Sequence, residues 1–116
     1  MTITKLAPVN NAKSFYGKAV NIEKDGNNYL KSYKTIVCGI IDGQLVRFWD
    51  KYSATTQNHI NAFLVYHGMQ GLNKKAWEAL PVADNSIIPS EITDVQLKYK
   101  TNYNYDLYGK FWFYRG

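Results

Sequence analysis

The residues best suited to chemistry in this chain are two histidines. His59 and His67 lie eight positions apart in a stretch whose apolar residues recur at helical spacing. A helix rises 1.5 Å per residue, so the two imidazoles would stand about 12 Å apart and could not share one ion. No His-Glu-x-x-His motif and no cysteine or carboxylate cluster accompanies either one. The sequence therefore predicts no metal and no cofactor. Acid–base or nucleophilic catalysis needs a base oriented by a third group. The candidates are His59 or His67 with Asp42, Asp50 or Asp84, pairs that any chain of this length offers by chance. Gly68-Met69-Gln70-Gly71 lacks the length and the following Lys-Ser/Thr pair of a phosphate loop. The lone Cys38 excludes an intrachain disulfide and a cysteine zinc site, and points to a cytoplasmic setting. A small hydrolase or nuclease is thus the weakest reading, and the chain is expected not to be an enzyme.

The elements that must position these residues follow from periodicity. Residues 14–23, 29–41 and 45–49 read as three strands of a meander, rich in Tyr, Thr, Ile and Val. Asp25-Gly26-Asn27-Asn28 and Asp42-Gly43 supply the turns. The period then changes to a helix over about 55–67. Ser53, Thr55 and Thr56 offer cap oxygens, and Gly68 takes the position just past its end. A shorter helix is predicted near 74–80, capped by Asn73 and stopped by Pro81. Residues 81–94 read as a connection. From Val95 to Leu107 every second residue is apolar, aromatic or Thr, which predicts a C-terminal strand pair. The expected fold is α+β, a small antiparallel sheet packed against one main and one short helix, in a single domain of 1–116 with a flexible N-terminus over about 1–10.

Composition bounds what such a fold does. The chain has 116 residues, 46% hydrophobic and 20% charged, which argues against disorder. No run approaches 18 apolar residues, so no membrane partner is expected, and the first residues lack the apolar core of a signal peptide. Aromatics reach 16%, ten of them Tyr, and they are unevenly placed. Five Tyr, two Phe and one Trp fall within residues 99–114. If that stretch faces outward, Tyr103, Tyr105, Tyr108, Phe111, Trp112 and Tyr114 form a candidate protein-binding surface, or a seam for a homo-oligomer.

The net charge of +5 opens a second reading. Five lysines between residues 13 and 34 face Glu23 and Asp25, with tyrosines interleaved. Lys13, Tyr16, Lys18, Lys31, Tyr33 and Lys34 are therefore candidates for nucleic-acid binding, lysines on phosphates and rings on bases. Only Arg47 and Arg115 represent arginine, which argues against specific base readout. A third candidate is an anion held at the start of the main helix by Lys51, Thr55 and Thr56.

Three blocks carry a resemblance. They are Ser14-Phe15-Tyr16-Gly17-Lys18-Ala19, then Ser32-Tyr33-Lys34-Thr35-Ile36-Val37, then Tyr52-Ser53-Ala54-Thr55-Thr56-Gln57-Asn58-His59-Ile60-Asn61-Ala62-Phe63-Leu64. Over roughly residues 10–68 the chain resembles a family of small, largely uncharacterised proteins carried by phages, prophages and plasmids of Gram-positive bacteria. Members often have Arg at the position of Asn58. The resemblance implies a non-catalytic accessory protein in the host cytoplasm that occupies a surface on a host enzyme or a defence complex.

Overall fold

A computed structural model describes residues 1–9 and 15–96. Five strands, β1 (Thr2–Lys5), β2 (Ala19–Lys24), β3 (Asn27–Ser32), β4 (Thr35–Ile41) and β5 (Gln44–Arg47), pair antiparallel in sequence order. With the helices laid on it, this sheet makes the fold α+β. The meander has five strands where periodicity predicts three, for two reasons. The expected strand 29–41 is broken by Tyr33, which takes a left-handed φ of 55° and turns the chain back between β3 and β4. A bulky residue in that region has no sequence signature. The N-terminus, expected to be loose, instead supplies β1, with Thr2 opposite Glu23 and Lys5 opposite Val20. The Asp-Gly turns behave as expected: Asp25 and Gly26 have φ of 54° and 82°, Asp42 and Gly43 of 52° and 80°. Gly17, read as a strand glycine, sits at φ 79° in the turn leading into β2. The predicted C-terminal strand pair lies outside the described residues beyond Gln96.

The sheet buries both faces, and alternation assigns the side chains except at the β3–β4 bulge, where Val37 is the extra residue and shares a core with Cys38. On the first face Ala19, Leu30, Val37 and Cys38 pack under α1 (Ala54–Tyr66) and α2 (Lys74–Glu78), against Ile60, Phe63, Leu64 and Trp77. Burial pushes the Cys38 thiol well above its ordinary pKa. On the second face Val20, Ile22, Tyr29, Ile36 and Phe48 meet Ile88, Ile92 and Val95. Gly39 leaves room there: a Cβ would stand 2.9 Å from the Asn28 carbonyl oxygen and 3.2 Å from Tyr29 Cδ2.

α1 starts and stops where its caps dictate. Ser53 Oγ accepts the Thr56 N–H at 3.0 Å. At the other end Gly68, at φ 75°, donates to the Val65 carbonyl at 2.9 Å, and Met69 donates to that of Leu64 at 2.8 Å. This is the paired bonding of a Schellman stop. α2 is only five residues long. Asn73 Oδ1 caps it at 2.7 Å on the Ala76 N–H. Arg47 closes it, although only 6% exposed. Its guanidinium donates to the carbonyls of Trp77, Glu78 and Leu80 at 3.2, 3.4 and 3.1 Å, and to that of Trp49 at 2.8 Å. It also lies 4.8 Å from the Trp77 ring.

The expected connection over 81–94 contains a 3-10 turn (Asn85–Ile87) and α3 (Ser90–Thr93). Val82 bridges to Arg47, and the Ala83 N–H bonds the Arg47 carbonyl at 2.7 Å. No helix among the described residues is long and apolar enough to cross a membrane.

Candidate functional site

One corner of the molecule gathers residues from all three blocks of the resemblance. At the start of β2, Phe15 and Tyr16 enter a turn closed by the Lys18 N–H on the Phe15 carbonyl at 3.0 Å. At the end of β3, Ser32 and Tyr33 lead into the next turn, and the Tyr33 N–H bonds the Lys18 carbonyl at 2.8 Å. The two turns therefore lie side by side. α1 brings His59 beneath them. Ser32 Oγ and His59 Nδ1 share a hydrogen bond of 2.7 Å. The Phe15 ring stands edge-on to the imidazole at 4.5 Å, and the Tyr33 ring lies 5.7 Å away. Above them, Lys18 Nζ is 5.8 Å from the centroids of both Tyr16 and Tyr33. Both tyrosines hold left-handed backbone, φ 57° and 55°, a conformation that costs on the order of 1 kcal/mol for such residues.

The Ser32–His59 pair resembles a nucleophile and its base, but its environment differs from that of an activated hydroxyl. His59 is 1% exposed and Ser32 2%. Burial, helped by the charge of Lys18, pushes the imidazole down to about pKa 4, so it is neutral at pH 7. No hydrogen bond joins a carboxylate to His59 among the described residues. His67 bonds Asn21 Oδ1 at 2.6 Å, and Asn21 in turn bonds Asn28 at 3.1 Å. Burial lowers the His67 pKa as well. Of the three carboxylates considered as partners, Asp50 and Asp84 line a separate cleft of about 300 Å³ with Thr35, Ile36, Phe48 and Asn85, and Asp42 sits in the turn between β4 and β5. No group of three or more His, Cys, Asp or Glu that could hold a metal occurs among the described residues.

The predicted site residues divide as follows. Tyr16, Lys18 and Tyr33 come together at the corner. Lys34, next to Tyr33 in the chain and exposed, lines a separate cleft with Thr35, Ile36, Asn85, Ile88 and Thr93. Lys31 is not at the corner either. It points into the second face between Val20 and Ile36, is 5% exposed, and its ammonium donates to the carbonyls of Thr93, at 3.0 Å, and Val95. Its pKa is lowered by burial. The reading of Lys31 as a phosphate contact is corrected: it is a buried clasp for α3. Thr56 is also buried, and its N–H is taken by Ser53. Thr55 and Lys51 are exposed, and the Lys51 carbonyl accepts Trp77 Nε1 at 3.0 Å. Lys13 and the candidate aromatic surface, Tyr103, Tyr105, Tyr108, Phe111, Trp112 and Tyr114, lie outside the described residues.

Residue-by-residue reading missed Phe15 and Ser32 as partners of His59. The signal was present in the resemblance, because each of the three falls in a different block. Residues 1–79 match a Family of unknown function (DUF8033). The chain belongs to that family. No curated protein and no solved structure matches it. The DUF8033 match takes in all five strands, α1 and α2, and the whole corner, and it stops before the 3-10 turn and α3.

Proposed function

We propose that this DUF8033 member acts by contact with a macromolecule, most simply a host protein, without chemistry of its own. In this reading it is a phage or mobile-element accessory protein of the host cytoplasm that occupies a surface on a host enzyme or defence complex. The supporting observation is the charge of the described residues. They carry nine basic and eight acidic side chains, and two of the nine, Lys31 and Arg47, are buried. The exposed surface of the described residues is therefore close to neutral, which suits a protein partner better than a phosphate backbone. The sealed Ser32–His59 pair, with no carboxylate bonded to it among the described residues, supports contact over catalysis. The aromatic run of residues 99–114 supplies the candidate surface.

The test is affinity capture from host cells, followed by reconstitution with the purified partner. Wild type should bind saturably, and Trp112→Ala with Tyr114→Ala should weaken binding at least tenfold without changing the melting temperature. Failure to reconstitute a saturable complex with any captured protein sinks the reading.

The corner of Tyr16, Lys18 and Tyr33, with Lys34 following Tyr33 in the chain, favours a second reading, a single-stranded nucleic acid with bases on the rings and phosphates on the lysines. Two such phosphate contacts predict a salt slope of about −1.4 in log K against log[salt]. Fluorescence anisotropy with labelled DNA and RNA at two salt concentrations checks it. Absence of saturable binding at low salt retires it.

A further inference from the structure

The two edges of the sheet are finished differently. At β5 the chain folds back, so that Val82 and Ala83 engage Arg47. At β1 nothing among the described residues lies alongside. The Leu6 N–H bonds the Ala19 carbonyl at 3.0 Å, which fixes the alternation of the ladder. Thr2, Thr4 and Leu6 turn their backbone groups toward β2. Ile3 and Lys5 turn theirs outward, where they have no partner among the described residues. An open edge of this kind is usually blunted by proline, a bulge or several charges. Here it carries Ile3, 47% exposed, between two threonines, with Lys5 as its only charged side chain.

We propose that this edge is an interface with a second copy of the chain, β1 pairing antiparallel with β1 of its partner across a two-fold axis at Ile3. The strand is complementary to itself in that register. Ile3 meets its own symmetry mate on one face, and Thr2 meets Thr4 of the partner subunit on the other, both favourable cross-strand pairs. The two Lys5 side chains fall at opposite ends of the ribbon, four residues or about 13 Å apart. That exceeds the screening length of about 8 Å at physiological salt. The two sheets join into one of ten strands. A ribbon of four residues per copy buries less than the roughly 1,000 Å² of a stable interface, so the association is weak and concentration-dependent. This interface is distinct from the aromatic surface of residues 99–114 and does not depend on the nature of any host partner.

Sedimentation velocity from 5 μM to 1 mM tests it, together with hydrogen exchange at the Ile3 and Lys5 amides. The expected result is a shift from monomer to dimer across the range, with slower exchange at both amides as concentration rises. Ile3→Lys places two like charges at the axis on an exposed position, and should weaken the dimer at least tenfold while leaving the melting temperature of the monomer unchanged. A chain that stays monomeric at 1 mM overturns the proposal. So does a dimer that Ile3→Lys leaves intact, or protection of the two amides that is independent of concentration.

Discussion

On one face of the sheet a 13-residue helix with a serine cap at its start and a glycine stop at its end covers Ala19, Leu30 and Cys38. On the other face the cover is a 3-10 turn and a four-residue helix, which meet Val20, Ile22 and Phe48 through Ile88, Ile92 and Val95. The first cover is a regular element that brings its own hydrogen bonds. The second is too short to hold itself, and α3 has no side-chain cap. It is held from outside: Lys31 reaches up from the sheet to the carbonyls at its end, and Lys24 pairs with Glu91 at 3.2 Å. The first cover falls inside the DUF8033 match and the second outside it. One sheet thus shows two ways to close an apolar face, a self-sufficient helix and a tethered strap, and the strap depends on buried charge.

The comparison can be broken by substitution. Phe63→Ala, in the helix face, should cost about 3–5 kcal/mol of global stability in urea unfolding. Acid should act on the same face. The folded pKa of His59 is about 4, below the 6.5 of the unfolded chain, so the unfolded state takes up a proton that the folded state refuses. Stability is full above pH 6.5, falls by on the order of 3 kcal/mol as pH drops toward 4, and levels off below that. His67 is shifted the same way and adds to the slope. His59→Asn should flatten it, measured as unfolding free energy against pH.

The strap predicts smaller, local effects. Ile92→Ala should cost about 2 kcal/mol, the low end for an apolar truncation, because a short segment can resettle. It should speed hydrogen exchange over residues 90–95 before α1 responds. A loss equal to that of Phe63→Ala would make the two faces energetically alike. Lys31→Met removes the clasp and leaves two carbonyls without a donor. It should cost about 1–2 kcal/mol, with the same local exchange signature.

The legible parts of the molecule are those whose causes are local. Ser53, Asn73 and Gly68 announce the two helices because a cap acts within four residues of itself. Asp42-Gly43 announces a hairpin for the same reason. The split at Tyr33 was illegible because its left-handed backbone goes with a long-range bond, from the Tyr33 N–H to the Lys18 carbonyl, and no glycine or asparagine marks it. Thr2–Lys5 is too short for its alternation to register. The corner and the strap were hidden by distance along the chain. His59 meets Ser32 across 27 residues, and Lys31 meets Thr93 across 62. Lysine in a strand pattern reads as a solvated charge, and only the bulge before it and the carbonyls above it make it a buried one.

Cys38 gives the helix face a built-in clock. Its thiol is fully buried in β4, and its raised pKa keeps it out of the thiolate form. Alkylating reagents can react with it only during excursions that lift α1 from the sheet. The labelling rate of the native protein therefore measures how often that happens, with no probe introduced and no residue changed.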